Sequence, residues 1–441
     1  MQMQAHPDPG GAGQDPALTA LREFDAQLVA IGGKIRVLKA IEWPLELEDR
    51  FLDSWRLGVP ELPSPETPPV RLDAEIDALK TLMAHVDRAH PIGRWLYKSA
   101  WSYLVAAQML ANIGTPEFTR CSALLYGRPD FRYPSQDITN ADGAREMLEI
   151  TDDLIDGRLL PEVPFDIPAD VFAQRLRERI GPFFCFDEVQ VVLDPNLPSK
   201  AVAGSKRITL RATALFSERD LEQLVQHEAF IHTATVLNGK HQPYLKSLGV
   251  GAPRTTRVQE GLATFSEIIT GAIDISRLRR VALRVLMVQQ ALDGADFIDV
   301  FRGFLEAGQS EIESYRSAAR VFRGGDVRGK VCFTKDGAYL EGVMIVTVFI
   351  RKALQEGRGE LLPMLFAGRL TTADVIELAP FRASGVIAPP AYVPPWARDP
   401  QCVLAHMAFS TATQRLRLDR LNLQRFVEFE DEVIAESGIG A

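Results

Sequence analysis

Metal-binding side chains are scarce in this sequence: 7 histidines and 4 cysteines among 441 residues. Cys121, Cys185, Cys332 and Cys402 lie far apart, with no CxxC pair. Such spacing predicts reduced thiols, each packed in the interior, and a cytoplasmic home. Long apolar runs are missing as well. None approaches the roughly 18 residues that a membrane helix needs, so no membrane association is expected. Met1 to Asp15 lack a basic stretch followed by an apolar one, which excludes a secretory signal there. Positive charge is in deficit, 49 Lys and Arg against 58 Asp and Glu, a net −9. That argues against a nucleic-acid surface but leaves room for a local basic pocket.

Two of the few histidines nevertheless stand together, in His227-Glu228-Ala229-Phe230-Ile231-His232. Gln259-Glu260-Gly261-Leu262-Ala263 follows, with Glu260 28 residues beyond His232. Two imidazoles and one carboxylate are a common ligand set for catalytic zinc, which keeps a further position for water. Glu228 sits where zinc peptidases keep the base that deprotonates that water. The histidines are five apart rather than the usual four. Five residues turn an ideal α-helix by about 140°, which would point the rings apart. A π-type widening between His227 and His232 would bring them back together. An ordinary helix would instead pair Glu228 with His232, four apart, as ligands. At this composition an H-[DE]-x-x-x-H arises by chance in roughly one chain in a hundred. The ordinary alternative is a half-buried helix whose two histidines bond to backbone or carboxylates.

The length allows two or three packed units. Residues 1–17 are expected to be disordered, 18–165 to form a helical N-terminal unit, 166–345 a zinc-binding catalytic domain, and 346–441 a helical C-terminal unit packed on it. Apolar spacing predicts helices over Leu72–Val86, Ile92–Ile113, Asn140–Ile155, Ala169–Ile180, Arg277–Leu292, Asp296–Glu306, Glu311–Phe322 and Ala338–Leu354. Val189–Leu193 and Ala201–Arg211 read as two strands. Ser217, with Asp220 three residues on, reads as the N-cap of the histidine-bearing helix. Thr256–Ile273 would carry Glu260, with Thr264 and Glu267 on the same face, either able to orient a ligating histidine. Isolated His85 and His90 are read as surface or capping residues, and His406 as structural. The fold class is α+β: helix-rich and zincin-like, with a small, mostly antiparallel sheet beside the metal-binding helix.

HExxxH at 227–232, QEGLA at 259–263 and FTKDxxYLxG at 333–342, in that order, resemble the bacterial QEGLA-motif family. That family was named for flavohaemoglobin expression modulation and is related to the eukaryotic microtubule-associated tyrosine carboxypeptidase. The similarity covers most of the chain and is sharpest from about residue 200 to 345. It implies a zinc metallopeptidase in which His227, His232 and Glu260 bind Zn2+ and Glu228 is the base. All four are present. Ala229, Phe230 and Ile231 stand where the eukaryotic enzymes have small residues, and Val258 stands where a Thr is usual. No counterpart of the microtubule-binding extension is found, so the chemistry carries over and the tubulin substrate does not.

The leading expectation is therefore a zinc-dependent carboxypeptidase that removes a bulky or aromatic residue from the C-terminal tail of a peptide or protein. Glu228 and Tyr339 are the candidate catalytic residues, Tyr339 as a donor to the developing oxyanion. Lys335 and Arg323 are the candidates to hold a substrate carboxylate. Phe230 or Phe333 would contribute to an apolar wall near the metal. Two other readings remain: a regulatory or binding protein with a closed, structural zinc, and an endopeptidase whose cleft is open at both ends.

Overall fold

Helices make up most of the chain, as the apolar periodicities predict. The computed structural model describes residues 16–133, 136–155, 164–197 and 199–413, with 424 and 428 beyond them. Expectations for residues 1–15, and for a charged last helix beyond 413, lie outside the described residues. No helix among the described residues is long and apolar enough to cross a membrane. The chain divides into two compact units, Met1–Pro395 and Trp396–Ala441. Within the second, the described residues include the helix Gln401–Thr413.

In the first unit, capping chemistry sets many boundaries. Asp73–His85 and Pro91–Ala111 form as their spacing predicts, the second opening on Pro91 with the His90 ring accepting the Ile92 N–H. His90 is thus a capping residue. Glu311–Phe322 is capped by Ser310, and Phe297–Glu306 by Asp296 in a reciprocal capping box. A further helix, Pro116–Tyr126, was not foreseen. It starts with Pro at its first turn and ends where Gly127 turns to φ 90°, punctuation that proline and glycine supply well.

Five strands are present among the described residues: β1 (Ile167–Pro168), β2 (Gln190–Asp194), β3 (Ala201–Ala203), β4 (Arg207–Arg211) and β5 (Leu215–Phe216). β1 and β5 pair antiparallel. The other sheet has the order β2-β4-β3, with β2 parallel to β4 and β3 antiparallel to it. The two-stranded sheet is therefore antiparallel and the three-stranded one mixed, and Ala201–Arg211 is not one strand. The chain reverses at 204–206, with the Gly204 N–H donating to the Arg207 carbonyl. A glycine inside an alternating pattern marks such a break. β4 then lands between β2 and β3, which leaves β3 at the edge.

Two hydrophobic clusters stand out among the described residues. One packs Phe172, Leu176, Ile208, Leu210, Phe216 and Phe230 between the small sheets and the histidine-bearing helix. Phe172 and Phe216 stack at 4.0 Å, an aromatic pair worth about 1 kcal/mol beyond its buried area. The other gathers Phe51, Phe297, Phe301, Phe304, Tyr315 and Phe322. Phe230 lies 4.1 Å from Phe183 and is buried in the first core, so it does not form an apolar wall at the site. Phe333 is fully buried against Tyr126 and Phe118 and forms none either. Cys121 and Cys332 are buried as expected, but Cys185 and Cys402 are exposed.

A strap formed by residues 386–392 holds the far end of the histidine-bearing helix. Asn238 Nδ2 donates to the carbonyls of Phe366 and Tyr392, and its oxygen accepts the Tyr392 N–H. Gln242 makes the same two-way link with Ala388, through Nε2 to its carbonyl and Oε1 from its N–H. These bonds satisfy backbone groups that a buried loop would otherwise leave unpaired.

Candidate metal centre

The centre begins at the capping box of Ser217 and Asp220, where the helix Glu218–Leu224 starts. The helix does not continue regularly. Val225–Thr233 is π-helical, and the Ala234 N–H reaches back five residues to the Ala229 carbonyl. A π turn closes residue i onto i+5, so residues five apart share a face. His227 and His232 meet accordingly, ring centroids 4.8 Å apart and nearly perpendicular. An α-helix resumes over Ala234–His241. The predicted widening is present, and the alternative of Glu228 and His232 paired on a regular turn is not.

Glu260 arrives from the second helix, Thr256–Ile269. Its Oε2 lies 3.6 Å from Nε2 of His227 and 3.6 Å from Nε2 of His232. Each of the three offers a ligand atom within 4.8 Å of the others. Bonds of about 2.1 Å around a tetrahedral ion separate ligand atoms by roughly 3.4 Å, close to the two 3.6 Å separations from Glu260, so the set is consistent with a metal. The donors, two imidazoles and a carboxylate, suit a divalent ion of zinc's type.

The surroundings orient these three side chains. His227 Nδ1 is 2.5 Å from Glu267 Oε1. An ionised carboxylate only accepts, so Nδ1 carries the proton and Nε2 is left to face Glu260. Glu267 is fully buried and is gripped by Arg277, whose Nη2 donates to Oε1 at 2.7 Å and whose Nε meets Oε2. Of the two orienting candidates, Glu267 fills the place. Thr264 bonds to the Glu260 carbonyl of its own helix. Burial by itself would depress His227, but the carboxylates of Glu260 and Glu267 beside it outweigh this and hold the pKa at about 10. Burial would likewise raise Glu260, and the Lys335 ammonium outweighs it, keeping the carboxyl well below its ordinary range.

Glu228 adjoins the first histidine and is half-buried. Its Oε2 accepts the N–H of Ala203 at 3.0 Å, so the edge strand β3 lies beside the site, where an extended peptide can add to a sheet. Lys335 Nζ lies 2.9 Å from Glu260 Oε1 and 5.2 Å from the centroid of the Tyr339 ring. Tyr339 is buried, and Arg320 Nη2 donates to its hydroxyl at 3.4 Å. Arg323 lies over Phe333, its guanidinium carbon 5.6 Å from the ring centroid. Of the basic residues around this loop, Arg328 pairs locally with Asp326 and Lys330 is exposed, whereas Arg320, Arg323 and Lys335 turn inward. The sequence reading missed Arg277 and Arg284, which sit on the separate helix Ile275–Asp293.

The two carboxylate-bearing motifs meet through their glycines. The Thr256–Ile269 helix packs along Ala338–Gln355, with Gly261 against Gly342. That close approach sets Glu260, Lys335 and Tyr339 in one neighbourhood.

A family model described as microtubule-associated tyrosine carboxypeptidase matches residues 49–415. The match includes all three motifs and both site helices. No curated protein matches the chain.

Proposed function

Because the chain belongs to the microtubule-associated tyrosine carboxypeptidase family, we propose that it is a zinc-dependent carboxypeptidase acting on a free C-terminal tail. The finer placement we propose is the bacterial QEGLA-motif branch, with a bulky or aromatic terminal residue as the one removed. What carries the reading is the convergence of His227, His232 and Glu260, with Glu228 beside the first of them.

Zinc held by these three would act as a Lewis acid on the attacking water and on the scissile carbonyl. The chain's own groups do the rest. Glu228 keeps Oε2 on the Ala203 N–H, which leaves Oε1 to take a proton from the water and return it to the leaving amine. The Tyr339 oxygen accepts from Arg320, so its proton is free to be donated as negative charge develops on the carbonyl oxygen. Lys335 and Arg323 supply positive charge for the terminal carboxylate, which needs a cation or several donors once desolvated. β3 offers its outer edge to the backbone of the tail.

The test is a peptide ending in Phe or Tyr, offered with a free or an amidated C-terminus and followed by mass spectrometry. Release of the last residue from the free acid alone is the expected result. Internal cuts, or equal cleavage of both forms, would make the enzyme an endopeptidase. No cleavage at full zinc occupancy would favour a structural zinc in a regulatory protein.

A further inference from the structure

The charges around Tyr339 do not balance. The guanidinium carbons of Arg284 and Arg320 lie 5.1 and 5.9 Å from its ring centroid, and Lys335 Nζ lies 5.2 Å from it. Arg323 is close enough to feel Arg320, Asp336, Tyr339 and Tyr126. Against these four cations stand two carboxylates, Asp336 and Glu260. Asp336 Oδ1 accepts from Arg320 Nη2 and Nε at 2.7 and 3.1 Å. Glu260 Oε1 accepts from Lys335.

Two positive charges are left over, and Arg284 and Arg323 are the cations with no hydrogen-bonded carboxylate. Arg284 Nε forms an ion pair with Asp336 Oδ2 at 3.7 Å, too long for a hydrogen bond, and neither atom has a hydrogen-bond partner. Arg323 has no acidic partner within ion-pair distance among the described residues. The Nε atoms of both are buried without a hydrogen-bond partner. Burial, with Arg320 nearby, draws each guanidinium down to about 10, which leaves both charged at neutral pH. Buried guanidinium groups are costly unless paired, and an unbonded donor inside a protein calls for a reason.

We propose that Arg284 and Arg323 form an anion subsite beside Tyr339, and that its ligand is the substrate's terminal α-carboxylate. This rests on the carboxypeptidase reading and adds to it a specificity residue from a different helix. A planar carboxylate with two oxygens matches the fork of a guanidinium, which a lone ammonium such as Lys335 does not offer. Lys335 is shared with Glu260, so it steadies the metal ligand and adds charge rather than a two-point grip. A tail gripped there places its last peptide bond towards Tyr339, Lys335 and the metal ligands, and the grip requires a free end.

The experiment needs no turnover. N-acetyl-phenylalanine and N-acetyl-phenylalaninamide are titrated into the purified full chain and followed by ligand-observed NMR. The acid is expected to bind at least about tenfold more tightly than the amide. Arg284→Gln should remove that preference by weakening the acid alone, while zinc content stays unchanged. Arg284→Lys, which keeps the charge without the fork, should recover only part of it. Should Arg284→Gln fail to fold by circular dichroism, Arg323→Gln is read in the same way. Equal affinity for acid and amide in the wild type, binding of neither, or an unchanged preference in the variants overturns the subsite. The two readings fail separately. An acid preference lost in Arg284→Gln, without cleavage of any peptide, sinks the peptidase and keeps the subsite. Exopeptidase cleavage with an unaltered preference in Arg284→Gln does the opposite.

Discussion

Gly261 and Gly342 touch backbone to backbone: a Cβ on Gly261 would overlap the Gly342 carbonyl and lie 2.7 Å from its Cα. The glycine of QEGLA and the glycine closing YLxG are thus two halves of one helix contact. Glu260 precedes the first and Tyr339 lies one turn before the second. Gly261→Ala gains about 1 kcal/mol of helix propensity, but backbone cannot yield as a flexible side chain can. The expected outcome is a net destabilisation of about 2 kcal/mol, with weaker metal binding because Glu260 shifts. Chemical denaturation and zinc titration of the variant check both.

Metal content is the plainest test of the centre. Purified protein should carry one zinc per chain, and His232→Ala should lose most of it. Elemental analysis of both decides, and full occupancy in the variant would remove His232 from the ligand set.

Glu228→Gln separates base from ligand. If Glu228 moves the proton, the variant keeps its zinc and loses turnover by a factor of about 100 or more, since an amide has the shape but no basicity. The Ala203 contact survives, because the amide oxygen still accepts. Loss of zinc would return Glu228 to the ligand set.

Glu267 acts through His227. Glu267→Gln removes the charge that fixes the ring and leaves Arg277 buried opposite an amide. Zinc affinity should fall about 10- to 100-fold, measured by competition with a chromophoric chelator. A merely structural role would lower stability and leave the affinity of the folded protein unchanged.

The pH dependence of the chelated protein has a definite sign. His227 is raised from 6.5 to about 10. A raised folded pKa contributes stability that is whole below about 6.5 and is lost as pH climbs to about 10. Melting temperatures of zinc-free protein should therefore drop across that window through this group. Zinc needs an unprotonated Nε2, so loading releases a proton and the zinc-bound protein should show a flatter profile. Parallel melts with and without chelator, compared with His227→Gln, check it.

Much of this was legible in the sequence because local rules dominate. Glu311–Phe322 has the bounds that its spacing predicts, and the Ser217–Asp220 box is formed as read. The π turn was inferable because two ligands five apart cannot share a face otherwise. What escaped depends on distant partners. The reversal at 204–206 reflects β4 pairing with β2, a long-range choice. Arg277 and Arg284 reach the site from a helix with no motif of its own, and nothing local distinguishes them from surface arginines. Phe230 lies between the histidines in sequence and is a candidate for the wall near the metal on that reading. The widened turn instead sends it into the core.

The π segment also sets a phase. Upstream of it the helix is fixed by Ser217 and by β3 against Glu228. Downstream it is fixed by Asn238 and Gln242 gripping Tyr392 and Ala388. Deleting one residue between the histidines would restore H-E-x-x-H on an ordinary α turn, and both rings could still meet one ion. Every later residue would then swing by about 100° and carry Asn238 and Gln242 away from the strap. The unusual spacing is therefore locked by attachments beyond His232 rather than by the metal, and a lineage could not trade one histidine pattern for the other without rebuilding the strap in the same step.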